Sequence, residues 1–253
     1  ESLVPPKKVI NKKKKRKAKK EFESICRPCG PGPLSEHNIR THNPKHPDCK
    51  ICQDAKVQRA QCRKKAAKSK TKAWVKMPLA TEFAHSITLD HFILQHEEDL
   101  SRKQERVASV FLDIATRWIN AFGASTNSAK LTAKAFKKFL GPLVTPDHIY
   151  SDNSKEIKKA VELLDWDDRH DTSTPNRPQT NGIIEHCVRL VKEGLSAALI
   201  QSGLTTEWWA DAMRYFCFQH NIEDRLSDGK TPYEKRFKEK FPHRVYPFGC
   251  EVD

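Results

Sequence analysis

The chain has 253 residues, enough for one large domain or two modest ones, and a formal net charge of +14. It contains no apolar stretch of the roughly 18–20 residues that a transmembrane helix needs, so we expect a soluble protein with no membrane partner. Four of its eight cysteines form two C-x-x-C pairs, which favours metal ligation and buried free thiols over a disulfide framework.

The basic surplus lies in the N-terminal part of the chain. Residues 1–72 carry 22 of the 46 Lys and Arg but only 6 of the 32 Asp and Glu, so the remainder is nearly neutral. Residues 1–24, which contain a long lysine run, lack apolar periodicity and are predicted to form a disordered basic arm. We expect this arm to contact DNA or to serve as a nuclear import signal, and a solvated tail is the alternative.

Residues 25–62 are predicted to form a zinc-binding module, joined to the rest of the chain by a basic linker at residues 63–82. The segment is rich in Cys, His and Pro and too short to fold by hydrophobic burial alone, so we expect a bound metal to stabilise its fold. It offers three histidines, and its cysteines Cys26, Cys29, Cys49 and Cys52 have a zinc-ribbon spacing.

From residue 84 onward the hydrophobic periodicity predicts an α/β fold built around a mixed sheet flanked by helices. Strands are predicted at residues 86–94, 107–114, 118–122 and 148–151, with a short one near 168–172. Helices are predicted between the cap Ser128 and Gly141, and at residues 154–164, 183–202, 205–224 and 231–240. A polar, proline-containing loop is predicted at residues 172–182.

Three carboxylates lie at the ends of these elements. Asp90 and Asp152 each close a strand-like segment, and Glu185 begins an amphipathic helix. Two-metal phosphoryl chemistry needs carboxylates that converge on Mg²⁺ or Mn²⁺, since these hard cations prefer oxygen ligands. Each acid taken singly is more simply a solvated surface group, but their positions together predict a divalent-metal site. Asp113 is a competitor, which we interpret as a structural or edge-facing acid.

The exposed face of the Glu185 helix continues with Arg189, Lys192 and Ser196 at helical offsets. A carboxylate beside two cations is what a metal site next to a phosphate backbone requires. Arg177, in the preceding loop, joins Arg189 and Lys192 as an expected phosphate contact that positions nucleic acid without reading its sequence.

Several runs of residues together resemble the integrase catalytic core of long-terminal-repeat retrotransposons, most closely its copia-like branch. The specific run is Ser173-Thr-Pro-Asn-Arg-Pro-Gln-Thr-Asn-Gly-Ile-Ile-Glu185, and 32 residues separate Asp152 from Glu185. The weaker runs, in the family's order, are Thr88-Leu-Asp90, Ser151-Asp-Asn153, Trp208-Trp209, Lys230-Thr-Pro-Tyr-Glu234 and Pro247-Phe-Gly-Cys250. The resemblance covers residues 83–251.

The resemblance implies an RNase H-like catalytic core at residues 83–241, followed at 242–253 by the start of a truncated C-terminal region. It implies metal-dependent 3′-end processing and strand transfer by a polynucleotidyl transferase with endonuclease activity. Asp90, Asp152 and Glu185 would be the catalytic residues and would hold two Mg²⁺ or Mn²⁺ ions.

The family's His-His-Cys-Cys module suggests one set of ligands for a single zinc ion, and the four-cysteine set above stays open beside it. The suggested ligands are His37, His42, Cys49 and Cys52. The DNA contacts implied by the active-site loop and the helix that follows it are Arg177, Gln179, Asn181, Arg189 and Lys192.

The implied partners are DNA, as element ends and target, and further copies of the chain in a homo-oligomer. The implied origin is a polyprotein, with a nuclear location after a stage in a virus-like particle. Two other functions stay open: a non-catalytic DNA-binding or assembly protein derived from an integrase, and a cellular RNase H-like nuclease. The loop run and the adjacent zinc module favour DNA joining over the nuclease.

Other chemically notable residues have simpler interpretations. The remaining cysteines are interpreted as packed or incidental thiols, the histidines beside the predicted site as solvated or core groups, and the tryptophan pair as a core anchor or, second, an interface. They are Cys62, Cys187, Cys217, Cys250, His85, His91, His170, Trp208 and Trp209.

Overall fold

The computed structural model describes residues 37–56, 80–94, 100–172 and 182–251. The predicted basic arm and most of the predicted linker lie outside these ranges, as does the loop at residues 173–181. Among the described residues, none of the helices combines the length and hydropathy that a bilayer crossing requires.

A five-stranded mixed sheet with the order β3-β2-β1-β4-β5 forms the centre of the described fold. The first three strands pair antiparallel, and β1–β4 and β4–β5 pair parallel. The strands are β1 Ile87–Ile93, β2 Val107–Asp113, β3 Ile119–Ala124, β4 Ile149–Ser151 and β5 His170–Thr172.

Helices cover both faces of the sheet, which accounts for the nearly continuous apolar sequence of β2. Along β2, Val110 packs on one side in a core cluster with the helices Gly182–Ser202 and Trp209–Glu223, and Phe111 packs on the other side with the helices Ala129–Leu140 and Lys155–Glu162. The α-helices are α1 Lys50–Ala55, α2 Ala129–Leu140, α3 Lys155–Glu162, α4 Gly182–Ser202, α5 Trp209–Glu223 and α6 Pro232–Phe237. The predicted mixed sheet flanked by helices is confirmed.

Capping side chains and a left-handed residue set the ends of two helices. The Ser128 side chain caps α2 by accepting from the backbone N–H of Leu131 at 3.4 Å. Thr231 and Glu234 form a capping box at the start of α6. That helix ends before Lys238, which has a left-handed φ of 63°, so the predicted extension to residue 240 is wrong by one turn.

Two buried polar side chains fix loops and edges of the sheet. Asp113 is fully buried and accepts from the backbone N–H of Ala84 at 2.9 Å and from the Thr116 hydroxyl at 2.6 Å. It is therefore a structural acid. Asn221 of α5 accepts from the Ile119 N–H at 3.0 Å and donates to its carbonyl at 2.7 Å, so it pairs with the edge strand β3.

We predict that Gly194→Ala lowers the free energy of unfolding, because a Cβ atom there would lie 2.2 Å from the Phe216 ring where α4 packs on α5. Overpacking of this kind costs about 1–3 kcal/mol, measurable by urea denaturation. Gly182→Ala, on the same helix, is the matched control, since a Cβ atom at that position would meet nothing within 4 Å. It should leave stability unchanged or raise it by up to about 1 kcal/mol. An equally stable Gly194→Ala chain would contradict this packing.

Candidate functional site

The parallel pairing of β1 with β4 brings Asp90 and Asp152 together. Leu89 pairs with Ser151, so the next residues in register are Asp90 and Asp152. Asp152 follows the end of β4 as predicted, but Asp90 lies in the middle of β1, so its predicted place at a strand end is wrong. Neighbouring strands lie about 4.7–4.9 Å apart. Two carboxylates that are 62 positions apart in the chain therefore lie side by side at one level of the sheet.

Glu185 lies in the first turn of α4, the helix that covers this side of the sheet. Side chains alternate along a strand, and Phe92, two residues after Asp90, packs in the core cluster that contains Ile184 and Cys187 of α4. Lys192, also on α4, places its Nζ atom 4.8 Å from the centre of the Phe92 ring. Asp90 thus points toward the helix that carries Glu185.

The electrostatics of Asp90 show that the three carboxylates interact. Burial is the main cause that raises the pKa of Asp90 to about 6, and the negative charges of Asp152 and Glu185 raise it as well, whereas the Lys192 cation lowers it. The backbone N–H of His91 donates to Asp90 Oδ1 at 2.7 Å, which favours the ionised form and limits the rise. The site therefore carries negative charge that the protein only partly compensates.

Carboxylate oxygens are the donors that Mg²⁺ and Mn²⁺ prefer, so the three side chains fit these ions by chemistry. Within the described residues, however, they do not form a group whose oxygens all lie within 4.8 Å of one another.

A groove of about 340 Å³ runs along the exposed face of α4 beside Glu185, and Arg189 and Lys192 also line it. Arg189 is exposed and contacts His186 Nδ1 at 2.7 Å. Two of the predicted DNA contacts therefore share a groove with the predicted metal ligand. The other predicted contacts, Arg177, Gln179 and Asn181, lie outside the described residues.

The histidines near the site have protein partners. His91 Nε2 lies 3.2 Å from the Thr132 hydroxyl on the opposite side of the sheet, and burial lowers its pKa. His170 Nε2 lies 2.8 Å from the Ser151 hydroxyl, and burial likewise lowers its pKa. His85 lies 3.8 Å from an Asp147 oxygen. These contacts agree with the interpretation of the histidines as structural groups.

The second candidate site is a cluster of His37, His42, Cys49 and Cys52, whose ligand atoms all lie within 4.8 Å of one another. The two histidine nitrogens are 3.2 Å apart, and three nitrogen–sulfur contacts measure 3.5, 3.5 and 3.7 Å. Tetrahedral zinc, about 2.0–2.1 Å from nitrogen and 2.3 Å from sulfur, sets these edges at about 3.3 and 3.6 Å. The donor set and its spacing fit zinc.

The protonation states are also relevant to metal binding. Burial lowers the pKa of His37 and of His42, which favours the neutral imidazole that binds metal. Burial raises the pKa of the Cys52 thiol, so formation of its thiolate would depend on the ion. Cys26 and Cys29, the competing ligands, lie outside the described residues. His46 is buried beside His37, and its Nδ1 accepts from the Asp48 N–H at 3.1 Å.

Polar residues of α4 and of the end of α5 hold this cluster against the sheet domain, and no sequence motif singles them out. Buried Asp224 accepts from the Thr41 hydroxyl at 2.6 Å and from the Asn43 amide at 3.0 Å. Gln201 donates to the Ile39 carbonyl at 2.8 Å, and its Oε1 lies 3.4 Å from His42 Nε2. No local pattern marks these side chains, because their partners are more than 150 residues away.

The remaining thiols and tryptophans are mostly structural. Cys187 and Cys217 are buried in the core, and burial raises the pKa of Cys187 to about 12. Cys250 is exposed, and Cys62 lies outside the described residues. Trp209 is buried against Phe92, which confirms it as a core anchor.

No protein-family model and no curated protein sequence matches the chain. Solved structures do resemble it. A simian T-cell lymphotropic virus intasome in complex with a PP2A regulatory subunit has a TM-score of 0.52 at 17% identity, covering 69% of this chain and 62% of that one.

Two isolated integrase catalytic core domains are also similar. The HTLV-2 domain, in complex with magnesium, has a TM-score of 0.49 at 17% identity, covering 61% of this chain and 97% of that one. The BIV domain has a TM-score of 0.45 at 20% identity, covering 61% of this chain and 95% of that one. Identities this low define the fold alone. The chain has the RNase H-like fold of a retroviral integrase core, with a His/Cys cluster near its N-terminus.

We predict that Asp90→Asn stabilises the metal-free protein at pH 7.5. Because the pKa of Asp90 is higher in the folded chain than in the unfolded chain, the folded chain loses stability as the pH rises from about 4 to about 6. The side-chain amide that replaces the carboxyl group does not ionise, so Asp90→Asn removes that loss. One pKa unit is about 1.4 kcal/mol, and after a discount for solvent screening we expect about 1–2 kcal/mol by urea denaturation.

The gain from Asp90→Asn should vanish near pH 4, where the wild-type carboxyl group is itself largely protonated. Asp168→Asn, at an exposed acid, is the control and should change stability little at either pH. A variant no more stable than the wild type at pH 7.5 would show that burial and the neighbouring acids do not disfavour the Asp90 carboxylate.

We predict that the chain binds one zinc ion and that Cys49→Ser removes it with a fall in melting temperature, because structural zinc contributes directly to folding. Zinc content by mass spectrometry and thermal unfolding are the measurements. Cys250→Ser, at an exposed cysteine, should keep the ion. The double variant Cys26→Ser/Cys29→Ser separates the two ligand sets, and loss of zinc in that chain would favour the four-cysteine alternative.

Proposed function

We propose that the chain is an integrase: a metal-dependent polynucleotidyl transferase that processes DNA 3′ ends and joins them to target DNA. The observation that carries the proposal is the convergence of Asp90, Asp152 and Glu185, which come from two neighbouring strands and the helix that covers them. The fold shared with an integrase-containing intasome supports the same class of activity.

Asp90, Asp152 and Glu185 would hold two Mg²⁺ or Mn²⁺ ions. Such ions, when bound, activate an attacking oxygen and stabilise a leaving oxygen in phosphoryl transfer. Asp90 is the acid whose pKa both Asp152 and Glu185 raise, so it would hold an ion together with either of them. With its pKa near 6, Asp90 is mostly ionised at neutral pH and can act as a ligand.

The cations of α4 would hold the DNA backbone beside these carboxylates. Arg189 and Lys192 line the groove that also contains Glu185, where their charges are accessible to phosphate. Contacts of this kind position the duplex without reading its sequence. Arg177, Gln179 and Asn181, in the loop that precedes α4, would complete the DNA-binding set.

The wider setting is part of the proposal. The motif runs resemble those of a copia-like retrotransposon, whose integrase would be released from a polyprotein and act in the nucleus on element ends and target DNA. Homo-oligomers would be needed to bring two DNA ends to one target. The His/Cys cluster would hold one structural zinc ion.

The test is a strand-transfer assay on the full chain, with labelled duplexes of randomised ends, a supercoiled plasmid target and Mn²⁺. We expect Asp152→Asn to lower joining at least about 100-fold, since even outer-shell groups of metal sites contribute about 10–100-fold. Asp168→Asn, an exposed acid in the turn before β5, is the matched control and should join like the wild type.

Joining by Asp152→Asn at the wild-type rate would overturn the assignment of the three carboxylates. Calorimetry with Mn²⁺ adds a second readout. A wild-type chain that binds Mn²⁺ through Asp90 but joins no DNA would favour the non-catalytic alternative, a DNA-binding or assembly protein derived from an integrase.

A further inference from the structure

A second groove, of about 800 Å³, lies between the His/Cys cluster and the C-terminal segment 240–246. Its walls come from residues 37–40, from the end of α5, from the start of α6 and from the C-terminal segment. The volume is within the range of about 300–1,000 Å³ typical of ligand sites. None of the residues that line it also lines the groove beside Glu185.

The groove keeps a net positive charge once the contacts of its own carboxylates are taken into account. Its two carboxylates are occupied: Glu223 pairs with Arg40 Nε at 2.5 Å, and Glu234 accepts from the Thr231 N–H at 2.9 Å within the capping box. The three further cations of the lining are Arg225, Lys240 and Arg244. In the part of the chain that the structure describes, none of the three forms a salt bridge with a carboxylate.

Two aromatic rings stand beside these cations. Tyr246 is 49% exposed, although its backbone is fixed, because its carbonyl accepts from the Tyr215 hydroxyl and from the Gln219 amide. Phe241 is half-buried and packs edge-on against Phe218 and Tyr233. An exposed ring on an anchored backbone is a surface on which a planar group can stack.

The groove is remote from the three carboxylates. Its residue Ile39 is bonded to Gln201, near the end of α4, whereas Glu185 lies in the first turn of the same continuous helix. Sixteen residues of helix correspond to about 24 Å. A ligand in the groove would therefore bind without touching the proposed metal site.

We propose that this groove binds single-stranded nucleic acid, with its phosphates on Lys240 and Arg244 and its bases stacked on Tyr246 and Phe241. Cations alone would accept any polyanion, but exposed rings select a strand whose base faces are open, which a duplex hides. Binding needs no divalent metal, so this site does not rest on the proposed integrase activity.

The test measures binding of a fluorescent 15-nucleotide poly-dT strand and of a 15-base-pair duplex to the full chain in EDTA, by anisotropy. The double variant Lys240→Glu/Arg244→Glu should weaken single-strand binding at least about tenfold, and Tyr246→Ala by about fivefold or more. Lys134→Glu/Lys137→Glu, an equal charge change on exposed positions of α2, is the matched control and should bind within about twofold of the wild type.

Photo-crosslinking with 5-iodouracil strands separates this groove from the basic N-terminal segment, which is common to all the variants. Crosslinks should map to Tyr246 or Phe241 and disappear in Lys240→Glu/Arg244→Glu. Crosslinks confined to other segments, or groove variants that bind like the wild type, would overturn the site. Equal losses for duplex and single strand, with no effect of Tyr246→Ala, would overturn the assignment to single strands.

Discussion

The partial burial of the Asp90 carboxylate beside two further acids is the constraint that the described fold has to withstand. Asp90 is partly buried between two other acids, and a charge so placed is disfavoured unless a cation compensates it. The sheet register fixes two of the acids at one level, and the packing of α4 fixes the third. Burial of the apolar clusters on both faces of the sheet provides the stability that offsets the cost of this charge.

Helix α4 reaches both candidate metal sites, and different parts of its sequence contact the sheet, the carboxylate site and the His/Cys cluster. Its buried stripe, which includes Ile184 and Val191, packs on the sheet, and Gly194 lets α5 approach closely. Its exposed first turns present Glu185 and the cations beside it, whereas Gln201 near its other end contacts the His/Cys cluster. One rigid element therefore sets the separation between the carboxylates and the cluster.

Local sequence patterns predicted the strands, the helices and the mixed sheet, because periodicity and caps such as Ser128 act within a few residues. They could not predict that β1 pairs with β4, which depends on residues 62 positions apart, or that Asp224 anchors the His/Cys cluster. The sequence indicates that Asp113 is a structural or edge-facing acid, yet only its three backbone and hydroxyl donors explain its structural role. The catalytic and zinc roles of the named residues stay predictions.

Polar groups anchor the His/Cys cluster to the sheet domain. Asp224 is buried with donors from Thr41, Asn43 and His220, so removing the N-terminal segment would leave its charge poorly satisfied. The large groove has one wall from that segment and the other from the C-terminal residues, so it exists only while the two are docked. A zinc ion that held residues 37–52 in place would therefore also order the groove, to whose lining the proposed zinc ligand His37 contributes.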